Sequence, residues 1–96
     1  MGAFSRDNHI EYERFDRQRG YCALCGKMLV RANYDRGDRG AWHAHHIDGD
    51  WEFNNTLGNC AVVCINPPEN CHLNWAHGGN TRTGPLAPRS AFILNR

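Results

Sequence analysis

The chain lacks any apolar run long enough to cross a bilayer, and its first residues lack the basic-then-apolar order of a secretory leader. It therefore reads as a soluble protein, cytoplasmic as it stands and with no membrane partner. Lysine is nearly absent. Ten of the eleven basic residues are arginine, whose planar fork matches phosphate oxygens in a bidentate way. No acidic residue follows Glu69, so residues 70–96 carry Arg82, Arg89 and Arg96 without a carboxylate and form a locally cationic tail. A large net charge is also missing. The formal value of +1 is far below that of a dedicated nucleic-acid binder, so bulk electrostatics alone do not point to DNA. No repeat or low-complexity tract interrupts the chain. With 96 residues, one domain with a marginal hydrophobic core is expected, and such a domain needs a staple.

The cysteines can supply it. Their number is five, an odd count that disfavours a pure disulfide framework, and Cys22-Ala23-Leu24-Cys25 has metal-knuckle spacing. Two thiolates on one tetrahedral zinc leave a second half-site to be drawn from Cys60, Cys64, Cys71, His72 or His77. Cys64 and Cys71 are preferred because they flank Pro67-Pro68, so ligation there closes that junction and ties it to the distant knuckle. Four sulfurs leave no open position, which makes such a zinc structural. Cys60 then reads as a small buried hydrophobe.

Along the chain, residues 8–19 are good helix formers, with Asn8 as cap and Gly20 as stop. Residues 20–29 form the knuckle, with Gly26 at its turn, and residues 31–40 an exposed polar loop. Residues 41–47 and 59–65 read as two strands joined by the Asp-, Asn- and Gly-rich stretch 48–58. After the proline break, residues 69–77 read as a short helix ended by Gly78-Gly79. In the tail, Ala91-Phe92-Ile93-Leu94 is expected to pack back on the body. Trp42, Trp51 and Trp75 are expected in the core rather than as base-stacking platforms.

Three of the six histidines crowd into Trp42-His43-Ala44-His45-His46. Adjacent strand residues face opposite ways, so His45 and His46 should have different tasks. One can bind a metal through a neutral imidazole while the other takes a proton from water. His43 shares the strand face of His45 and so borders the same site. His77 follows His72 by five residues, a little past the helical spacing that stacks two side chains.

The joint pattern Cys22-x2-Cys25, His45-His46-Ile47, Asn59 followed five residues later by Cys64, and Cys71-His72 resembles the zinc-bearing HNH nucleases, a branch of the ββα-metal nucleases. The resemblance spans residues 20–77. It departs from the family in the six residues between Cys64 and Cys71 and in the rival asparagines Asn54 and Asn55. It implies a small α+β fold with a ββα-metal core over about 41–78, an N-terminal helix over about 8–19, a structural zinc and a basic tail over 79–96.

Residue by residue, the resemblance makes His46 the general base, His45 and His72 ligands of a catalytic divalent metal (Mg²⁺, Mn²⁺, Ni²⁺ or Zn²⁺), and Asn59 the group that holds His46. His77 stands as a third candidate ligand, and Arg82 and Arg89 as candidate phosphate contacts. The implied activity is hydrolysis of phosphodiester bonds, with DNA the expected substrate. A compact domain of this kind suits a phage or mobile-element nuclease, a restriction component, or the toxic end of a larger effector that is delivered into a target cell and paired with an immunity protein. Two other classes compete: a zinc-stabilised module that binds nucleic acid without cutting it, and a disulfide-stabilised secreted protein.

Overall fold

The computed structural model describes residues 9–35, 38–50, 55–80 and 84–95. Among these, the chain forms a small α+β structure: helix α1 (Ile10–Arg17), strands β1 (Trp42–His46) and β2 (Cys60–Cys64), and a π-helical turn (His72–Ala76), with short 3₁₀ turns between and after them. No described helix is long and apolar enough to cross a membrane.

Helix α1 carries Glu11 and Glu13 in its first turn and Arg14 and Arg17 in its last, which complements the helix dipole. Glu13 and Arg17 pair at 2.9 Å across one turn. The helix is shorter than the expected 8–19. Asn8, the expected cap, lies outside the described residues, and His9 precedes the helix in the left-handed region. At the other end the chain leaves the helix at Gln18, whose fully buried side chain is committed to β2.

The strands pair antiparallel, with Trp42 opposite Cys64, Ala44 opposite Val62 and His46 opposite Cys60. This is the expected long-looped hairpin. The outer edge of β2 would leave peptide groups unpaired, and the fold covers it from two sides. The Gln18 amide accepts the Val62 N–H at 2.9 Å and donates to the Val62 carbonyl at 3.0 Å, and the Ala23 N–H reaches the same carbonyl. Two residues on, the Cys64 N–H points at Cys22 Sγ, 3.5 Å away. The knuckle is thus docked on the sheet through its backbone as well as its sulfurs.

Alternation along β1 separates two environments. Trp42 is fully buried against Phe15 and Tyr12 of α1, with ring centroids 4.9 and 5.6 Å away. The core continues through Leu29, Ile47, Val62, Val63 and Phe92. Arg14 is buried beneath the tail and donates to the carbonyls of Leu57 and Leu94. The expected return of the tail is therefore present, and the Ile93 N–H completes it by bonding the Ala23 carbonyl.

Candidate metal centres and their surroundings

Cys22, Cys25, Cys64 and Cys71 bring their sulfurs within 4.8 Å of one another, the set preferred from the sequence. Cys25 and Cys64 are 3.9 Å apart. Tetrahedral zinc with bonds near 2.3 Å holds its sulfurs about 3.8 Å apart, so the spacing suits such an ion. All five cysteines are free thiols. Gly26, at a φ of 77°, turns the knuckle back on itself, a conformation that costs glycine little.

Backbone donors surround the sulfurs. Leu24 and Cys64 N–H groups address Cys22 Sγ, and the Cys71 N–H addresses Cys64 Sγ at 3.4 Å. A hydrogen bond from the Cys64 thiol, aided by these amides, holds Cys22 well below the ordinary thiol range at about 4. Cys64 is pushed upward as the donor of that bond, and burial pushes Cys71 up to about 12. Four such sulfurs cannot all ionise side by side without a cation among them. The group can therefore hold a structural metal such as zinc. Cys60 stands apart, fully buried, with burial raising its thiol to about 12, as suits a packing residue.

The second cluster lies on the other face of β1. His45, His72 and His77 also bring one ligand atom each within 4.8 Å of one another. The chain reaches this arrangement by a route the sequence did not suggest. The helix expected over residues 69–77 is a π-helical turn running from His72 to Ala76, and its wider winding brings residues five apart together. His72 Nε2 and His77 Nε2 are 3.2 Å apart. Two imidazole nitrogens sharing a tetrahedral ion at about 2.1 Å would be about 3.4 Å apart, so the pair is suitably spaced for a common cation.

His45 is 1% exposed, and its Nε2 is buried with no hydrogen-bond partner among the described residues. An orphaned buried nitrogen is costly, and a ligated cation would satisfy it. Burial depresses His45 and His72 to about 3, with repulsion from neighbouring histidines adding to it, and burial also lowers His77. All three are neutral imidazoles near pH 7, the form that binds metals. Phe92 covers the cluster, stacked 5.6 Å from the His45 ring. Gly84 packs hard against the end of the π-helical turn, where a Cβ would collide with the His77 carbonyl oxygen.

His46 ends β1 outside this group of three, and its Nε2 lies 2.6 Å from Asn55 Oδ1. Asn59, expected to hold His46, directs its side chain to the turn beyond it: Nδ2 donates to Asp48 Oδ1 at 2.9 Å and Oδ1 accepts the Asp48 N–H at 3.0 Å. Its carbonyl accepts the Ile47 N–H, so Asn59 pins the end of the hairpin. His43 is more deeply involved than its strand position alone implied. Its Nδ1 is 3.1 Å from His72 Nδ1, and its Nε2 contacts Asp35. Asp35 comes from the loop read as merely exposed and polar. Its only sequence signal was being a carboxylate upstream of a histidine cluster.

Of the candidate phosphate contacts, Arg82 lies outside the described residues, as does Trp51. Arg89 is exposed and donates to the Gly58 carbonyl. Trp75 corrects the expectation of a core residue. It is 65% exposed on the solvent side of the π-helical turn and lines an open pocket of about 310 Å³ with Leu24, Cys25, Glu69 and Cys71. The reason is the winding of that turn, which commits Ala76 rather than Trp75 to the core.

Fold and site together define a small α+β protein with a four-cysteine group suited to a structural metal and a separate three-histidine group. No family model, curated protein or solved structure matches the chain.

Proposed function

We propose that the chain is a metal-dependent endonuclease of the HNH kind, with a ββα-metal core, that hydrolyses phosphodiester bonds, DNA being its expected substrate. The observation that carries this reading is the division of adjacent histidines by β1. His45 joins His72 and His77 in one cluster, while His46 stays outside that group with an asparagine on its ring. Ligand and base are thus separate groups at neighbouring positions.

A divalent ion at the cluster would neutralise charge developing on the scissile phosphate and the leaving oxygen. His45, His72 and His77 are the residues that would hold it. His46 serves as general base. The Asn55 side-chain oxygen would accept from Nε2–H in the tautomer that makes Nδ1 the basic nitrogen for the proton of the attacking water. The cysteine group, lacking an open position once loaded, holds the knuckle, β2 and the π-helical turn together and takes no part in the chemistry.

The test is cleavage of plasmid DNA by purified protein with Mg²⁺, Mn²⁺, Ni²⁺ or Zn²⁺, beside His46→Ala and a count of metal ions per chain. Two ions and cleavage lost in His46→Ala are expected. A single tightly held zinc with no cleavage in any metal would overturn the reading in favour of a zinc-stabilised binding module.

A further inference from the structure

His43 and Asp35 have no task in the reading above, yet they sit in line with one of its ligands. Asp35 is anchored to the strand: its N–H bonds the Trp42 carbonyl at 2.9 Å, and its φ of 54° is one that aspartate tolerates better than most residues. This backbone turn delivers the carboxylate to His43 Nε2. On the far side of the same ring, His43 Nδ1 is 3.1 Å from His72 Nδ1. His72 in turn presents Nε2 to His77 Nε2.

The order of donors along this chain follows from its carboxylate end. An ionised carboxylate only accepts, so His43 must donate from Nε2. An imidazole that carries its single N–H at Nε2 presents a lone pair at Nδ1, so the proton in the contact with His72 belongs to His72 Nδ1. Neutral His72 then has its lone pair on Nε2, facing the cluster. Were His43 free to turn its donor toward His72, the order would reverse and an N–H would point where a ligand atom is needed.

We propose that Asp35 and His43 are positioning residues that select the tautomer of His72 and so present its Nε2 lone pair to the histidine cluster. The inference rests on the reading of that cluster as a metal site. Carboxylate and imidazole partners on the distal nitrogen of a ligand histidine both orient the ring and raise its basicity.

Long-range ¹H–¹⁵N correlation spectra of the imidazole rings, recorded with the histidine cluster metal-free, read the tautomer directly. His72 is expected as the Nδ1–H form in the parent and as a mixture or the Nε2–H form in Asp35→Ala and His43→Phe. Calorimetric titration with Ni²⁺ should then show about 10- to 100-fold weaker binding in both variants. A parent His72 protonated on Nε2, or variants that bind Ni²⁺ as tightly as the parent, would overturn the proposal. A parent that takes up no Ni²⁺ at the histidines would sink the metal reading instead, and the parent spectrum alone would then decide the tautomer. The same spectrum decides it if a variant does not fold.

Discussion

His46 Nε2 and Asn55 Oδ1 face each other at 2.6 Å, so the ring at the end of β1 is oriented by the loop that leads into β2. The ring of the proposed base is therefore held from the loop side by this contact. Replacing Asn55 with Ala should lower the cleavage rate about tenfold or more, and His46→Ala by about 10²- to 10⁴-fold, the usual contribution of a general base. Ni²⁺ affinity, measured by calorimetry, should be largely unchanged in both. His45→Ala should do the reverse and abolish Ni²⁺ uptake at the histidines.

The cysteine group joins the knuckle, the end of β2 and the start of the π-helical turn, which are far apart in the chain. Removing its metal should loosen all three at once. Thermal unfolding followed by circular dichroism should show a large fall in Tm with a strong chelator, restored by added zinc. At free zinc a thousandfold above Kd the linked stability is about 4 kcal/mol. Cys22→Ser should mimic the chelator, whereas Cys60→Ser should lower Tm without changing the metal count.

Acid should destabilise the metal-free protein in a defined window. His45 and His72 are depressed to about 3 in the fold, chiefly by burial, from an ordinary value of 6.5. Between these values the unfolded chain binds more protons, so stability rises with pH. The stability is fully present above about 6.5 and is lost as pH falls toward 3. Urea midpoints measured from pH 7 to pH 4 should fall steadily, and less steeply in His45→Phe.

Gln18 acts as a surrogate strand, pairing with both the N–H and the carbonyl of Val62. Gln18→Leu keeps similar bulk but leaves the Val62 N–H without its amide partner, which should cost about 1–3 kcal/mol. Urea denaturation should detect that loss with little change in metal stoichiometry.

The chain's own pattern was enough to place the two strands, the cysteine quartet and the separation of His45 from His46. These follow from local rules: alternation along a strand, the turn formed around a Cys-x2-Cys knuckle, and the inability of proline to continue a ladder. His77 and His43 were visible only as neighbours of the site. Their involvement depends on how one short segment winds and where one loop lies, and neither is a property of residue spacing. A five-residue interval brings His72 and His77 together in a π-helical turn, while an α-helix would splay them.

Asp35 was beyond the reach of pattern altogether, Asn55 was present only as a rival for the middle asparagine, and Phe92 only as part of a tail expected to return to the body. Asp35 meets His43 because its backbone bonds Trp42, Asn55 meets His46 across the hairpin loop, and Phe92 reaches His45 because Arg14 and Ala23 draw the tail home. Trp75 shows the same dependence in reverse. A large aromatic residue belongs in the core by composition, and here the turn directs it to solvent. Identity and spacing select the groups that can bind a metal or move a proton. Which of them touch, which nitrogen carries the proton and which are cut off from water are decided only when distant segments pack, because each depends on contacts made across the fold.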